Sequence, residues 1–382
     1  MSRPVIFINS HPIQYFVPLY RYLNQQGLST ECWYCSDENV KGHFDRQFGS
    51  RVEWDIPLLD GYTSRFFKNR SWKPSLYNGF FGLINPGLLG ALWRKEKSVV
   101  VVHGWNYVTH VIAIIVGRLA GHTICIRGES PYNQEIMKSA ANRFIKKIFL
   151  QLFLFRFARF LLYIGQQNKR FYEYYGVPSR KLAFAPYAVD NERFQAAAAS
   201  TSRDEVRSKN KIPRDAFVIL FVAKLIEKKR PMDLLKAFAL LQIKNKCLVM
   251  VGEGELRNEI ETYIRDNNPG NVILPGFKNQ SEIPSWYKSA DVFVLCSGVG
   301  ETWGLSVNEA MNFDLPVVVS RTSGCSGDLV GRESGATFET ASIAGLAAAI
   351  TECYSKLGSY KPTKVVDNYS FEKIKATLLA IG

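Results

Sequence analysis

The sequence has no run of about 18 apolar residues without a charge, so it predicts no membrane-spanning helix. Its opening residues, MSRPVIFINSHPIQ, lack the basic region, apolar core and small-residue cleavage site of a secretory signal. They predict a first core strand instead. Together these two absences favour a cytoplasmic location.

Cysteine is sparse and shows no pairing pattern. The seven cysteines form an odd, scattered set, which is typical of buried free thiols in a reducing compartment. Cys32 and Cys35 have CxxC spacing, but no second pair completes a zinc site and they lie in the apolar run TECWYC. We therefore expect both to be structural.

Acidic residues are too few to balance the basic ones. The chain has 48 Lys and Arg against 34 Asp and Glu, a formal net charge of +14. This excess favours anionic partners such as nucleotide phosphates, phospholipid headgroups or nucleic acid. With 47% hydrophobic and 21% charged residues, the 382-residue chain is expected to be globular and long enough for two domains.

Two series of short apolar strands alternate with helical segments along the chain. The first series is VIFIN, STECWYC, SVVVVHG, HTICIRG and RFLLYIG; the second is FVILFVA, CLVMVGEG, NVILPG, DVFVLCS and PVVVS. Continuous apolar strands separated by helices indicate parallel sheets covered on both faces. The sequence predicts an α/β fold with two Rossmann-like, doubly wound domains, residues 1–195 and 196–369. Ligands of such sheets bind at the carboxyl ends of the strands, which predicts a shared cleft.

One segment of the second domain, CSGVGETWGLSVNEAMNFDLPVVVS, carries most of the expected chemistry. A strand ends near Cys296, and a helix starts at Leu305 or Ser306 directly after Gly304. Because glycine has no side chain, an anion could approach the free N–H groups of Leu305 and Ser306, where the helix dipole favours negative charge. This pattern predicts a diphosphate seat.

Two carboxylates flank that seat, Glu301 in the loop and Glu309 one turn into the helix. Carboxylates accept hydrogen bonds from sugar hydroxyls. Each residue also has a purely structural interpretation. Ser306 and Glu309 have the spacing of a helix capping box, and Glu301 could be a solvated loop charge.

Two lysines are expected at the same edge of the sheet. Lys224 follows the strand FVILFVA, and Lys229 lies in the next loop, IEKKRP. Their charges would neutralise a diphosphate leaving group. The alternative is that both are solvated surface lysines.

These segments resemble the GT-B glycosyltransferases, specifically the retaining family-4 group that builds bacterial polysaccharides and glycolipids. The run AKLIEKKRPMDLLKAF resembles the family's Gly-Arg/Lys-Leu…Lys segment, and ETWGLSVNEAM…PVVVS is similar to its E-x7-E signature. The resemblance implies that Glu301 contacts the donor sugar and Glu309 the nucleotide ribose. Lys224 and Lys229 would then contact the diphosphate.

The same resemblance suggests residues around the donor and its mechanism. Trp303 and Phe277 are expected to line the donor pocket. Members of the family retain the anomeric configuration and use no protein nucleophile. The chain has no Asp-x-Asp triplet, the usual metal bridge of the other main glycosyltransferase fold, so we expect a hexosyltransferase-type enzyme with no metal and no cofactor.

Acceptor-side residues are expected in the first domain. In the run VVVHGWN, His103 comes just after a buried strand, where the family often has a residue facing the donor sugar or the acceptor. We interpret it as catalytic; a structural histidine is the alternative. A subset of the family begins with His-Pro-Ile-Gln-Tyr, found here around His11, Gln14 and Tyr15.

Two further acceptor-side candidates lie at the carboxyl end of the strand HTICIR, and a third segment departs from the family pattern. Arg127 and Glu129 would face the cleft, or they would form a strand-end ion pair. The segment PYAVD has Tyr187 and Ala188 where the family has Asn-Gly.

Two further segments carry expectations: the last helix of the chain and a basic helix of the first domain. In the GT-B fold the last helix, here about 370–382 after a Ser370 N-cap, crosses back onto the first domain. Residues about 138–160 alternate basic and apolar side chains, which suits either an anionic membrane surface or a helix packed on a Rossmann sheet.

The expected activity is transfer of a sugar from a nucleotide-sugar to a saccharide or lipid-linked saccharide acceptor. Three other functions fit part of the pattern. They are a sugar-nucleotide epimerase of the same fold, a phosphorylase with pyridoxal phosphate on a lysine, and a basic nucleic-acid- or membrane-binding protein. The sequence has no recognition-helix or RNP-like module, so we expect no nucleic-acid partner.

Overall fold

The computed structural model describes residues 3–38, 40, 43–45, 50–52 and 54–382. The chain divides into two compact units. Unit 1 comprises Met1–His43, Pro57–Tyr187 and Ser370–Gly382, and unit 2 comprises Phe44–Ile56 and Ala188–Tyr369.

Unit 1 is built on a seven-stranded parallel sheet with the order β5-β2-β1-β6-β7-β8-β9. Its strands are β1 (Val5–Asn9), β2 (Thr30–Tyr34), β5 (Thr63–Phe66), β6 (Val99–His103), β7 (Thr123–Arg127), β8 (Phe160–Tyr163) and β9 (Leu182–Phe184). Two short strands, β3 (His43–Asp45) and β4 (Ser50–Val52), pair only with each other among the described strands, and apart from His43 they belong to unit 2. The central strands β1 and β6 are apolar and buried up to their last residues, Asn9 and His103, which fits a position between two helix layers.

Helices cover the sheet of unit 1. They are α1 (Val17–Gln25), α2 (Pro86–Arg94), α3 (Val108–Leu119), α4 (Tyr132–Glu135), α5 (Ala140–Lys147), a π-helix (Ile148–Leu154), α6 (Phe155–Phe157), α7 (Gln166–Tyr174), a 3₁₀ turn (Ser179–Lys181) and the final helix α17 (Phe371–Ile381). Helix α3 packs against both α2 and the π-helix, and α17 packs against α1 and β9. The Ser370 hydroxyl accepts a hydrogen bond from the Lys373 N–H, which confirms the predicted N-cap of α17.

Unit 2 contains a six-stranded parallel sheet with the order β12-β11-β10-β13-β14-β15. Its strands are β10 (Phe217–Val222), β11 (Lys246–Val251), β12 (Asn271–Gly276), β13 (Val292–Leu295), β14 (Val317–Ser320) and β15 (Gly335–Phe338). Its helices are α8 (Asn191–Ser200), α9 (Arg203–Lys209), α10 (Pro231–Leu240), α11 (Arg257–Asn267), α12 (Ile283–Ser289), α13 (Leu305–Met311), α14 (Ser326–Leu329), α15 (Ile343–Ser355) and α16 (Pro362–Val366), with a 3₁₀ turn at Glu227–Lys229.

The two parallel sheets confirm the predicted α/β class with doubly wound units. In each sheet the chain order reverses beside a central strand: β1 lies between β2 and β6, and β10 lies between β11 and β13. Loops diverge at the carboxyl ends of such strands and leave a crevice there. The sites of interest are therefore expected after β1 and β6 in unit 1 and after β10 and β13 in unit 2.

The described residues include no helix that is long and apolar enough to cross a bilayer. All seven cysteines are buried free thiols, as predicted. Burial raises the pKa of the Cys35 thiol well above its ordinary range, so this cysteine of the CxxC pair stays protonated and unreactive.

Candidate active site

The candidate site in unit 2 lies where the sheet order reverses. Strands β10 and β13 are adjacent and parallel, so the loops that follow them start side by side. The loop after β10 contains the 3₁₀ turn, and the loop after β13 runs from Cys296 to Gly304. The Gly298 N–H donates to the Lys228 carbonyl at 2.8 Å, which joins the two loops directly.

Glu301 and Lys229 form an ion pair and hydrogen bond across these loops. Glu301 is only 7% exposed, so the alternative of a solvated loop charge is wrong. Burial alone would raise the pKa of Glu301, but the Lys229 ammonium, reinforced by Lys228, outweighs burial and holds the pKa below its ordinary value. The carboxylate is therefore ionised at neutral pH.

Lys228 and Lys224 complete what we call the lysine–glutamate cluster, Lys224, Lys228, Lys229 and Glu301. Burial lowers the pKa of Lys228; the Glu301 carboxylate opposes this effect, while the Lys229 and Lys224 ammoniums add to it. Three cations around one carboxylate leave an excess of positive charge, which suits a diphosphate. Sequence reasoning missed Lys228, although the run EKKR contains it beside Lys229.

Helix α13 begins immediately after the cluster's loop. Gly304 precedes it with φ +109°, and a Cβ there would lie 2.5 Å from Leu295 Cδ2, so only glycine fits. No side chain caps the helix, and Ser306 lies inside it. The capping-box alternative for Ser306 and Glu309 is therefore wrong.

Glu309 has a different partner. Its Oε2 accepts a hydrogen bond from the Tyr287 hydroxyl at 2.7 Å, and the side chain is buried. Tyr287 belongs to α12, and its hydroxyl also lies 3.3 Å from the Ser306 carbonyl. The tyrosine thus fixes the orientation of Glu309, and nothing in the local sequence motif pointed to it.

The two aromatic residues expected around the donor lie at different depths. Trp303 is 2% exposed, its Nε1–H donates to Asn308 at 2.8 Å, and its ring packs against Tyr369. It supports the loop from within the core. Phe277 follows β12, two strands away from β10, with its ring edge-on to Trp54.

In unit 1, His103 ends β6 within an aromatic environment. Its ring lies 4.6 Å from the Phe16 ring and 5.9 Å from the Phe7 ring. Within the described part of the chain, its Nε2 is buried without a hydrogen-bond partner. Burial, and then the charge of Arg127, hold the pKa of His103 well below 6.5, so the imidazole is neutral at physiological pH.

Arg127 lies beside His103 because β6 and β7 pair at these two residues. Its Nη2 donates to the Pro186 carbonyl at 3.0 Å, and its guanidinium lies over the rings of Phe16 and Tyr187. The Tyr187 hydroxyl donates to Glu129 at 2.6 Å. Tyr187, which replaces the family's asparagine, therefore joins the acceptor-side candidates.

The predicted residues of the first turn lie at the carboxyl end of β1. His11 Nδ1 is 2.9 Å from the Ser10 hydroxyl, and Gln14 and Tyr15 lie half-buried in the turn before α1. The structure thus brings together His103, Arg127, Glu129 and Tyr187 in unit 1. In unit 2 the lysine–glutamate cluster lies in the loops after β10 and β13, and Glu309 lies in the helix that follows the second of these loops.

The fold places the chain in the GT-B class. It is similar over 98% of its length to a solved structure of Anabaena HepE in complex with UDP and glucose, with TM-score 0.71, 16% identity and 97% of that chain covered. It is also similar to the lipopolysaccharide outer core galactosyltransferase WaaB, with TM-score 0.68, 14% identity and 99% of each chain covered.

The sequence of unit 2 defines the family more closely. Residues 202–362 match the family described as glycosyl transferases group 1, so unit 2 carries a group 1 glycosyl transferase domain. The match contains the whole lysine–glutamate cluster and Glu309.

Curated relatives agree with this assignment. The chain is 29% identical over 242 residues to the Escherichia coli UDP-Gal:alpha-D-GlcNAc-diphosphoundecaprenol alpha-1,3-galactosyltransferase, covering 61% of this chain and 60% of that protein. It is 31% identical over 157 residues to the amylovoran biosynthesis glycosyltransferase AmsK of Erwinia amylovora, covering 39% and 36%. The chain thus matches less than two thirds of the length of either relative.

Proposed function

We propose that the protein is a retaining glycosyltransferase that moves a sugar from a nucleotide-sugar donor to a saccharide or lipid-linked saccharide acceptor in surface polysaccharide or glycoconjugate biosynthesis. The observation that carries this proposal is the lysine–glutamate cluster. It joins one ionised carboxylate to three lysines at the reversal point of a sheet, within a group 1 glycosyl transferase domain.

The donor is proposed to bind through complementary charges. The diphosphate contacts Lys224 and Lys229 and the N–H groups of Leu305 and Ser306, while Glu301 accepts hydrogen bonds from the transferred sugar. Glu309, held by Tyr287, accepts hydrogen bonds from the ribose hydroxyls. The buried ionised state of Glu301 supports this division, because a carboxylate binds hydroxyls and repels phosphate.

The lysines are proposed to stabilise the departing diphosphate as negative charge develops on it. Cations around the seat would repel a divalent metal, which supports a metal-independent reaction. No protein side chain needs to form a covalent intermediate. The diphosphate would assist deprotonation of the acceptor on the same face of the sugar, so the anomeric configuration is retained.

The acceptor is proposed to bind at the carboxyl end of the unit 1 sheet. Glu129 is oriented by the Tyr187 hydroxyl, and Arg127 is fixed against two aromatic rings. His103 is neutral, so it would act as a hydrogen-bonding group towards the reacting sugar and not as a cationic acid. The diphosphoundecaprenol acceptor in the name of the Escherichia coli relative supports a lipid-linked acceptor here.

We also propose that the protein attaches peripherally to the inner face of the cell membrane, because a lipid-linked acceptor lies there. The basic segment 138–160 exposes Phe144, Ile145 and Leu152 together with Lys147 and Arg156. Exposed apolar and basic side chains on one helical segment are typical of an interfacial anchor.

Donor binding can be tested by a thermal-shift panel of UDP-, GDP-, ADP- and TDP-sugars, because a ligand that binds only the folded state raises its melting temperature. We expect one nucleotide class to raise it. We also expect Glu301→Gln and Lys229→Ala to lower kcat/KM by roughly 100-fold or more, the usual effect of removing a positioned electrostatic group. Glu339→Gln, at an exposed ion pair with Arg321, is the matched control and should keep wild-type rates.

Product analysis distinguishes transfer from epimerisation. Donor incubated without acceptor should stay unchanged, and with acceptor the new linkage should have the donor's anomeric configuration by NMR. An epimer formed without acceptor, or full activity in Glu301→Gln, would contradict the proposal.

A further inference from the structure

A loop of unit 1 presents large aromatic rings to solvent. Residues 67–85 connect β5 to α2, and we call them the aromatic loop. Trp72 is 70% exposed, Tyr77 62% and Phe81 49%, and Phe80 is also exposed. The Trp72 and Phe81 rings lie 5.4 Å apart, and Phe80 packs edge-on against Phe81, so the rings form one surface.

The aromatic loop is internally hydrogen-bonded. The Asn69 side chain donates to the Gly82 carbonyl at 2.8 Å and accepts from the N–H groups of Ser71 and Ile84, both at 3.0 Å. The Ser71 hydroxyl donates to the Phe81 carbonyl at 2.7 Å. The loop's polar groups thus hold its own fold, and the exposed rings are presented by an ordered hairpin-like structure.

The stretch of sequence that contains the aromatic loop is strongly basic. From Arg65 to Lys95 the sequence contains six Lys and Arg and no Asp or Glu. Three of these cations, Lys68, Arg70 and Lys73, belong to the loop itself. An anionic partner is therefore favoured over a neutral or acidic one.

The charge of the whole chain is concentrated in the same unit. Unit 1 has 24 Lys and Arg against 9 Asp and Glu, whereas unit 2 has 24 against 25. The formal net charge of +14 thus comes entirely from the unit that carries both the aromatic loop and the basic segment.

We propose that the aromatic loop is a second membrane contact, which inserts its rings into the interface of an anionic bilayer while the basic segment 138–160 binds beside it. This inference rests on the proposed function, because a lipid-linked acceptor gives the attachment its purpose. The loop is tied to the start of α3 by hydrogen bonds from Tyr107 to Leu76 and from Val108 to Phe80, at 2.8 and 2.9 Å. Since α3 also packs against the π-helix, both contacts belong to one helix layer.

The residue types favour a bilayer over a saccharide as the occupant. Sugar sites combine aromatic rings with carboxylate or amide groups that bind hydroxyls, but this loop has no acidic residue of its own. The side-chain amides of Asn69, Asn78 and Asn85 each donate to a backbone carbonyl of the protein. The nearby Glu38 carboxylate accepts a hydrogen bond from the Leu76 N–H at 3.4 Å. Trp, Tyr, Lys and Arg are the side chains enriched at membrane interfaces.

The two contacts would orient unit 1. The aromatic loop follows the carboxyl end of β5, and the basic segment follows α4 after the carboxyl end of β7. His103 and Arg127 end strands at this same edge of the parallel sheet. A bilayer held by both contacts would therefore lie near the proposed acceptor residues.

Vesicle binding by the full chain tests the aromatic loop. Wild-type protein is mixed with sucrose-loaded vesicles of phosphatidylcholine, with and without about one third phosphatidylglycerol, and the bound fraction is measured by sedimentation. The loop variant is Trp72→Ser with Phe81→Ser. The matched control replaces two exposed leucines of unit 2, Leu240→Ser with Leu357→Ser.

We expect wild type and the control to bind anionic vesicles, and the loop variant to bind roughly tenfold more weakly, because interfacial binding scales with the apolar area inserted. Equal binding by the loop variant and the control would overturn the proposal, as would no binding by wild type. Unchanged vesicle binding with a raised KM for a water-soluble saccharide acceptor would also overturn it and assign the loop to the acceptor.

Two readouts separate this proposal from the proposed function. The melting temperature of the loop variant and its shift by the donor should equal those of wild type, which excludes misfolding. Wild-type protein that binds vesicles through the loop but transfers no sugar would contradict the transferase proposal and leave the membrane contact supported.

Discussion

The Glu301 carboxylate is buried between two loops and depends on its cationic neighbours to stay ionised. This dependence has a consequence for acid stability. A carboxyl whose folded-state pKa lies below its unfolded value stabilises the fold above the unfolded pKa, and the effect is lost as the pH falls through the folded pKa. Glu301, whose pKa is lowered from 4.5, belongs to this class.

We therefore expect the difference in unfolding free energy between wild type and Glu301→Gln to be constant at neutral pH and to shrink below about pH 4.5, the ordinary pKa of the group. Urea unfolding between pH 7 and pH 3 measures it. Glu339→Gln again controls for the loss of one carboxylate. A difference that grows towards acid pH would show that the pair does not lower the pKa of Glu301.

At the residue scale, the sequence predicted those candidates that lie within one motif. Four residues could be chosen as site candidates because charged side chains lie in the segments that follow two apolar strands: Lys224, Lys229, Glu301 and Glu309. Tyr287 could not, because its contact with Glu309 spans 22 residues and depends on how α12 packs. Tyr187 was noticed only as a departure from a family pattern, since its hydrogen bond to Glu129 spans 58 residues.

Among the elements, the loop that carries Glu301 is held from one side by the loop after β14. The Gly324 N–H donates to the Glu301 carbonyl at 3.1 Å, and the Cys325 N–H donates to the Trp303 carbonyl at 3.2 Å. A Cβ on Gly324 would lie 1.8 Å from the Thr302 carbonyl oxygen, which is backbone and cannot move away alone.

We expect Gly324→Ala to displace the Glu301 loop, to cost about 1–3 kcal/mol of unfolding free energy, and to weaken donor binding. Gly327→Ala is the control, because a Cβ there meets no atom within 4 Å. Thermal unfolding with and without donor measures both effects. Equal stability and donor affinity for the two variants would contradict the close backbone contact.

The start of α13 shows how a local pattern can mislead. Ser306 to Glu309 has the spacing of a capping box, yet the helix begins at Leu305 because Gly304 takes a left-handed conformation one position earlier. The left-handed conformation of Gly304, where a Cβ would lie 2.5 Å from Leu295 Cδ2, overrides the capping preference of serine. The four-residue pattern from Ser306 to Glu309 does not include Gly304 and could not show its conformation.

For the whole molecule, the uneven distribution of charge between the units predicts a one-sided response to charge reversal. Lys147→Glu with Arg156→Glu should weaken binding to anionic vesicles at low salt by roughly 30-fold or more, because each of the two lost surface cations contributes about 1 kcal/mol to binding. Lys244→Glu with Arg332→Glu, in unit 2, should leave it unchanged. Equal losses for both pairs would indicate that only total charge matters, and raising the salt concentration should diminish the loss.

The two sheets were predictable from sequence because their central strands are almost continuous apolar runs. Three edge or near-edge strands were not predicted: β5 (TSRF), β9 (LAF) and β15 (GATF). Edge strands need little apolar sequence, since one side carries no neighbouring strand, and β5 is largely exposed. Their pairing is set by the strands already in place.

The position of α17 in unit 1 affects the order in which the chain can fold during synthesis. Ile374 and Leu378 of this helix are buried, and Thr377 donates to the Phe184 carbonyl. A ribosome releases residues 188–369 before this helix, so unit 2 can fold while unit 1 still lacks the helix that covers α1 and β9. Unit 1 can therefore be completed only after the residues of α17 have been made, and a deletion of α17 would affect the unit that contains β1.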